Sequence, residues 1–481
     1  MPLLDLSNFN IVISLLGGWI TLFGLVSYLI KEQYYLSEAF LSLFAGLLFK
    51  VTGLIKPLEY AGGSLENLET VTLNFTRLVL GVQLVLAGVQ LPSRYLLKEW
   101  RSLSLLLGPG MAGMWASTSL LVYLLVPGVS FLQALAIGAC VTPTDPLLSN
   151  TILRGKFADE NVPEPLRNII IAESGANDGL GYTFLFLALY FWKYTTPSSA
   201  TDTITVAGGG AHTALGHWMA ETCLWVVLFS ILYGWAVGWA AKELLHWAEK
   251  NKYVDRESFF VFAIALSLFI VGTCGILGTD DVLACFIAGN AFTWDDWFRV
   301  QTKDDSLQPT VDMLLNAAIF MWLGAICPWA TFLTLDLMPT WRLLALGVLV
   351  LLLRRLPVIL VLRRYVPQFR ELKQAAFVGY FGPIGVSAIF YLYVTLEFLK
   401  EQTGHEDAER FGEAVKLVVW FLTICSIVVH GLSVPVGKLG YYLPRRRSTQ
   451  AIMLPYDERR GRRPSHASSI DPRSDSDYSD A

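Results

Sequence analysis

Apolar residues in this chain gather into long runs separated by short polar stretches, unlike the broken stripes of soluble helices. Thirteen runs are legible, near residues 10–30, 36–55, 71–91, 102–126, 131–153, 167–192, 218–242, 258–276, 281–294, 310–334, 341–362, 374–398 and 412–440. A helix of roughly 18 or more mostly apolar residues is long enough to cross a bilayer core about 30 Å thick. The pattern therefore predicts an all-α, multi-pass membrane protein of about 13 transmembrane helices. The ninth run is short, and the fifth and twelfth are interrupted by Pro and Gly.

The polar stretches between the runs alternate in charge. Loops after odd-numbered runs, with adjoining positions such as Arg101 and Arg167, hold seventeen basic residues, and loops after even-numbered runs hold six. Basic loops stay on the cytoplasmic side, so the N-terminus is expected outside and the C-terminus inside. Thirteen crossings allow two six-helix halves joined by the seventh run. The first run enters from outside and the eighth from inside, which makes the halves inverted repeats. Inverted repeats with paired discontinuous helices are a transporter arrangement, and the broken fifth and twelfth runs occupy corresponding places.

From about Tyr441 the pattern ends. Residues 445–481 are rich in Arg, Ser, Asp and Pro without apolar periodicity. A transmembrane domain over 1–440 and a short disordered cytosolic tail over 441–481 are expected. Arg445 to Arg447 are placed to meet anionic headgroups, and Arg462-Arg463-Pro464-Ser465 has the form of a basophilic phosphorylation site.

Composition narrows the class further. The 481 residues are 16% charged and 54% hydrophobic, whereas ordinary soluble chains are about a quarter charged. The net charge of -4 is spread over loops and tail and suggests no nucleic-acid partner. Residues 1–10 lack Lys and Arg, and the run from Ile11 to Ile30 has no small-residue cleavage pattern, so it reads as a retained helix. Cys140, Cys223, Cys274, Cys285, Cys327 and Cys425 lie within or beside apolar runs without a CxxC pair. No disulfide framework and no resident metal or cofactor are expected.

Ionisable residues inside a spanning segment cost several kcal/mol to bury and mark function by default. The fifth run contains Thr142-Pro143-Thr144-Asp145-Pro146, where two prolines remove backbone donors and break the helix. The twelfth run mirrors this break with Gly379-Tyr380-Phe381-Gly382-Pro383-Ile384-Gly385. If the two breaks cross near the midplane, facing half-helix dipoles need compensation, which Asp145 can supply. The sixth run carries Glu173-Ser174-Gly175-Ala176-Asn177-Asp178-Gly179. Glu173 with Asn177, and Ser174 with Asp178, are i,i+4 pairs that share one stripe.

At a rise of about 1.5 Å per residue, Asp178 lies roughly 18 Å from the cytoplasmic end of its helix, and Asp145 at comparable depth. Two carboxylates beside a broken helix suit a dehydrated monovalent cation, with oxygens from Asp178, Ser174 and carbonyls freed near Thr144. An apolar setting disfavours a charged carboxylate and a nearby cation favours it, so proton and cation compete for one site. If only the loaded site reorients, exchange is obligatory, and the absence of a P-loop from the sequence fits transport without ATP and no enzyme activity.

Glu173 lies about 10 Å deep and Arg354-Arg355 of the eleventh run about 12 Å deep from the same side, which suits a buried ion pair. Arg355 is the preferred partner, with Arg354 the alternative. Asp280 and Asp281 open the ninth run and read either as an N-cap or as part of an outer cation pathway. Arg77 and Gln83 of the third run are minor core candidates, and His430 reads as a structural histidine. The sequon Asn74-Phe75-Thr76 sits close to a helix, and His212 and His217 show no metal-ligand spacing.

Over about residues 10–440 the chain resembles the sodium/proton exchanger superfamily, most of all its fungal plasma-membrane alkali-cation/proton antiporters. The resemblance rests on Thr142-Pro143-Thr144-Asp145-Pro146, Ala172 through Gly179, Gly278-Thr279-Asp280-Asp281 and Phe381-Gly382-Pro383-Ile384-Gly385. It implies exchange of Na+, with Li+ and K+ as further cations, for H+ by alternating access, serving cation detoxification, salt tolerance and pH homeostasis. It further implies Asp178 as the ion-carrying acid, Ser174 and the Thr144 carbonyl as ligands, and Asn177 and Asp145 in support. Glu173 would pair with the eleventh-run arginine, and a homodimer with a moving core domain would lie in the plasma membrane. The Asn177-Asp178 pair resembles the electroneutral group. Gln83 stands where some relatives have a carboxylate, and the tail is short for the fungal branch.

Three other readings compete. An intramembrane aspartyl protease needs Gly-x-Gly-Asp, and here Asn177 replaces the second glycine. A cation channel would conduct without a pH gradient. A K+-preferring endomembrane exchanger is the nearest alternative among antiporters.

Overall fold

The computed structural model describes residues 8–28, 36–146, 148, 162–196, 209–302, 307–334, 337–402 and 407–448. The chain divides into two compact units, Met1–Pro435 and Val436–Ala481. Among the described residues the structure is helical with connecting turns and no strand. We number the main helices α1 Asn8–Tyr28, α2 Glu38–Val51, α3 Leu65–Gln90, α4 Trp100–Leu125 and α5 Phe131–Cys140. They continue as α6 Glu164–Thr195, α7 Gly210–Lys250, α8 Arg256–Leu277, α9 Asp281–Phe292 and α10 Leu307–Ile326. The last four are α11 Thr340–Leu362, α12 Leu372–Tyr380, α13 Val386–Lys400 and α14 Ala408–Ser448.

Where they are described, the apolar runs fall mainly on helix, yet among the described residues only six helices are individually long and apolar enough to cross a membrane: α3, α4, α7, α10 over Pro309–Ile326, α11, and α14 over Ala408–Ser433. Apolar stretches of α1, α5, α8 and α9 are shorter. The protein is thus multi-pass, but the expected 13 crossings are not fixed by helix length. Two physical causes account for part of the shortfall. The helix of the fifth run ends at Cys140 after ten residues, the twelfth run is broken into pieces below spanning length, and the polar stretch Glu173–Gly179 dilutes the apolar character of α6. Helix also continues past residue 440, where the residue pattern predicts the start of a tail, as far as Ser448. The rest of that expected tail, with Ser465, lies outside the described residues.

Local chemistry sets the ends of the helices that carry the site. Ser130 accepts from the Gln133 amide at 3.3 Å and Gln133 Oε1 accepts from the Ser130 amide at 2.9 Å, a reciprocal cap that starts α5. Gly278 ends α8 in the left-handed region at φ 65°, where a side chain would be strained. Two residues later Asp280 caps α9.

The short α9 is the most enclosed helix, with all but two of its residues buried. Close packing on three sides explains this. A side chain at Gly175 or Gly179 of α6 would run into Phe286 or Leu283, and one at Gly234 or Gly238 of α7 would run into the backbone of Ala284 or Ala288. Gly88 of α3 meets the Phe286 carbonyl on the third side. Small residues at four-residue spacing allow such backbone approach between membrane helices. Gly46 of α2 and Gly324 of α10 make a similar contact, each against the other helix's backbone.

Candidate ion-binding site

Two interruptions face each other. After α5, residues 141–145 leave the helix, and residues 381–385 separate α12 from α13. The breaks touch directly, for the Asp145 amide donates to the Pro383 carbonyl at 2.9 Å. Broken helices leave orphan donors at N-terminal ends and orphan acceptors at C-terminal ends, and each set here meets an opposite charge. Asp145 Oδ2 accepts from the Val386 amide at 2.7 Å and Oδ1 from the Leu148 amide at 3.4 Å. Arg354 donates to the carbonyls of Val141 at 2.5 Å, Thr142 at 3.0 Å and Pro143 at 3.3 Å, and also to that of Gly382. One buried carboxylate and one buried guanidinium therefore balance the two crossed half-helix pairs.

Gly385 permits this contact, because a β-carbon there would overlap the Asp145 carboxylate. Overpacking of this kind costs about 1–3 kcal/mol. Gly385→Ala should accordingly lower the melting temperature in detergent. Gly272→Ala, in a helical position with open space around it, should not. Equal melting temperatures for the two variants would show that the breaks are not held this tightly.

Three expected site residues come together on α6 and the first break. Asn177 Oδ1 accepts from the Thr144 amide at 3.1 Å, and its side-chain amide donates to Thr144 Oγ1 at 2.8 Å. Ser174 Oγ lies 2.9 Å from the same hydroxyl. These bonds fasten the break to α6 beside Asp178, the residue one turn beyond Ser174. Asp178 is fully buried, and neither carboxylate oxygen has a hydrogen-bond partner among the described residues. Asp145 and Asp280 both lie within its electrostatic reach.

Glu173 is 1% exposed and Arg355 2% exposed, and the guanidinium grips both carboxylate oxygens at 2.6 and 2.7 Å. A third donor, Arg355 Nε, bonds the Val378 carbonyl at 2.9 Å. Arg354 points to the breaks instead. Residues 354 and 355 interrupt the helical run of α11, so adjacent arginines serve different neighbours.

Asp280 and Asp281 sit at the start of α9 and are both buried. Asp280 Oδ1 accepts from the Leu283 amide at 3.0 Å as the helix cap, and its own amide donates to Ser230 at 2.9 Å. Asp281 is held by Arg77 of α3, whose Nε and Nη2 both lie 2.9 Å from Oδ2. Gln83 reaches Asn316 of α10 at 3.3 Å. His430 lies between the Tyr380 carbonyl at 3.0 Å and the Ser426 carbonyl at 2.9 Å, as a structural histidine does.

Sequence reasoning missed a polar stripe on α13. Ser387, Tyr391 and Thr395 recur every four residues in a half-helix that is largely apolar up to Leu396, which is the signal that marks them. Tyr391 donates to the Asp178 carbonyl and, at 3.0 Å, to the Gly179 carbonyl. Thr395 lies 3.4 Å from Cys140 at the end of α5. The stripe ties the second half of the chain to the helix that bears Asp178.

Comparison with known proteins agrees with this architecture. The family of sodium/hydrogen exchangers, transmembrane, matches residues 18–436. A protein named Na(+)/H(+) antiporter 2 from Zygosaccharomyces rouxii is 36% identical over 92% of this chain and 54% of its own length. The Na(+)/H(+) antiporter of Saccharomyces cerevisiae is 35% identical over 92% of this chain and 44% of its own length. The chain thus spans about half the length of these curated relatives. A Na(+)/H(+) antiporter of Schizosaccharomyces pombe is 31% identical over 92% of this chain and 94% of its own length. The fold is similar to that of the sodium proton antiporter MjNhaP1 from Methanocaldococcus jannaschii, with a TM-score of 0.61 and 18% identity over 88% of this chain and 100% of that one. Family match, relatives and crossed broken helices together show that the chain belongs to the transmembrane sodium/hydrogen exchanger family.

Proposed function

We propose that the protein is a secondary active antiporter that exchanges Na+ for H+ across its membrane, with cation and proton competing for Asp178. The observation that carries this reading is a buried carboxylate without a hydrogen-bond partner on either oxygen among the described residues, set beside two crossed helix breaks. An ionised group in such a place is costly unless a counter-charge meets it. A bound cation or a proton each removes that cost, and the two exclude one another. Ser174, Asn177 and Thr144 form the adjoining polar wall and fix the break in place, while Asp145 keeps the crossing neutral together with Arg354. The Glu173–Arg355 pair holds α6 to α11 so that the site moves with its surroundings.

The names of the relatives favour Na+, and Li+ and K+ belong to this reading as further substrates. The charge pattern of the loops favours an N-terminus outside and a C-terminus in the cytosol. A plasma-membrane homodimer working one cation for one proton, in salt tolerance and pH homeostasis, completes the reading; a K+-preferring endomembrane exchanger is its nearest rival.

The test is reconstitution of the full chain in liposomes with a trapped pH dye. Addition of Na+ should dissipate an imposed proton gradient, with K+ less effective, and clamping the membrane voltage should leave the rate unchanged. A gradient untouched by every alkali cation would refute antiport. A K+ response above that to Na+ would select the rival.

A further inference from the structure

We infer that Ser387, at the start of α13, is a direct ligand of the transported alkali cation and completes from the second half of the chain the site that Asp178 begins. This inference rests on the antiport reading above.

Three polar atoms lie buried in one place without a hydrogen-bond partner among the described residues: both carboxylate oxygens of Asp178 and the Ser387 hydroxyl. Such orphans are rare in folded proteins and ask for an explanation. Ser387 is 1% exposed and Asp178 is 0% exposed, so bulk water does not serve them. The two side chains are near enough to interact yet outside hydrogen-bonding geometry. A cation seated between them would draw oxygens from both halves of the chain.

The neighbouring contacts fix this pairing. Tyr391 lies one turn beyond Ser387 on the same face of α13 and bonds the carbonyls of Asp178 and Gly179. α13 is therefore docked on α6 at the height of the carboxylate, and the next polar position along the stripe is Ser387. Gly181 of α6 makes room for this docking, since a β-carbon there would overlap the Tyr391 ring. The positive end of a helix repels cations, but here the Val386 amide donates to Asp145, which offsets that charge. Ser174 and Thr144 differ from Ser387, because their hydroxyls are already bonded to each other.

A hydroxyl suits both loaded states. It accepts from a protonated carboxyl, and its lone pairs coordinate a hard cation when the carboxylate is ionised. A methyl group in its place leaves the proton state nearly intact and removes one oxygen from the cation.

The experiment uses the reconstituted full chain at fixed pH and compares Ser387→Ala, Ser387→Cys and Ser387→Thr with the unmodified protein. Loss of one ligand should raise the apparent KM for Na+ by about ten-fold, with maximal rate within about two-fold and an unchanged melting temperature. Cys, close in size but soft and weakly attracted to alkali ions, should behave as Ala. Thr, which keeps the hydroxyl, should restore a KM near that of the unmodified protein. If Ala fails to fold, the contrast between Cys and Thr decides the assignment in its place. A KM unchanged in Ala and Cys, or a fall in maximal rate alone, overturns the ligand assignment. Should the unmodified protein show no cation-driven proton movement, the failure belongs to the antiport reading instead.

Discussion

Asp178→Asn is expected to reduce Na+-driven proton movement to the background of protein-free liposomes while leaving the fold intact. An amide has nearly the shape of the carboxyl but can neither ionise nor carry a proton across. The buried site would then offer a cation dipoles alone, against the cost of stripping its water. Stability should not fall with activity, because neither carboxylate oxygen bonds a protein donor among the described residues. Removing a buried charge that lacks a partner relieves its desolvation cost. Gel filtration and thermal unfolding in detergent should match the unmodified protein, or the midpoint should rise. A variant that still dissipates the pH gradient on Na+ addition would show that the carrier acid lies elsewhere. A variant that misfolds would show that Asp178 has a structural partner.

Arg355→Met should have the largest effect on stability. It strands the Glu173 carboxylate, which is 1% exposed and takes two of its hydrogen bonds from Arg355. Breaking a buried pair from one side costs about 3–5 kcal/mol, because the remaining charge stays desolvated. A marked fall in melting temperature and in detergent-soluble yield is expected. Replacing both partners, Glu173→Leu with Arg355→Met, should recover much of the loss, since well-packed apolar pairs often equal buried ion pairs. Arg354→Met should damage the protein differently, leaving carbonyls of both helix breaks without their donor. If the double variant is no more stable than Arg355→Met alone, the two residues do not act as a pair.

The residue pattern reaches some features of the site and not others. Depth along a helix puts Glu173 level with both arginines and cannot separate Arg354 from Arg355, because one residue turns a side chain by about 100° around a regular helix. The interruption of α11 at these residues decides which arginine turns where. From its sequence position Asp145 suits both a dipole compensator and a supporter of the ion site. The fold gives both its oxygens to the Val386 and Leu148 amides. Asp280 and Asp281 admit two readings for a similar reason: a cap is a local contact, while Arg77 lies 204 positions away in the chain. Ser387 taken alone is inconspicuous, since a single serine near a glycine-rich break resembles any turn residue.

What the sequence determined by itself is set by short-range chemistry. Apolar runs long enough for a bilayer, prolines that remove donors, and acids in membrane helices each act within a few residues. From these came the all-helical membrane class, the breaks within Thr142–Pro146 and Gly379–Gly385, and the polar stripe from Glu173 to Asp178. Only the tertiary structure decided which break touches which helix, which arginine meets Glu173, and that Asp178 and Ser387 are both buried without hydrogen-bond partners among the described residues. Those facts depend on crossings between segments a hundred or more residues apart, where glycines at 175, 179 and 385 make room for Phe286, Leu283 and the Asp145 carboxylate. Residue spacing along one helix carries no record of the partner helix, so the opposing half of the site becomes visible only once the chain is folded.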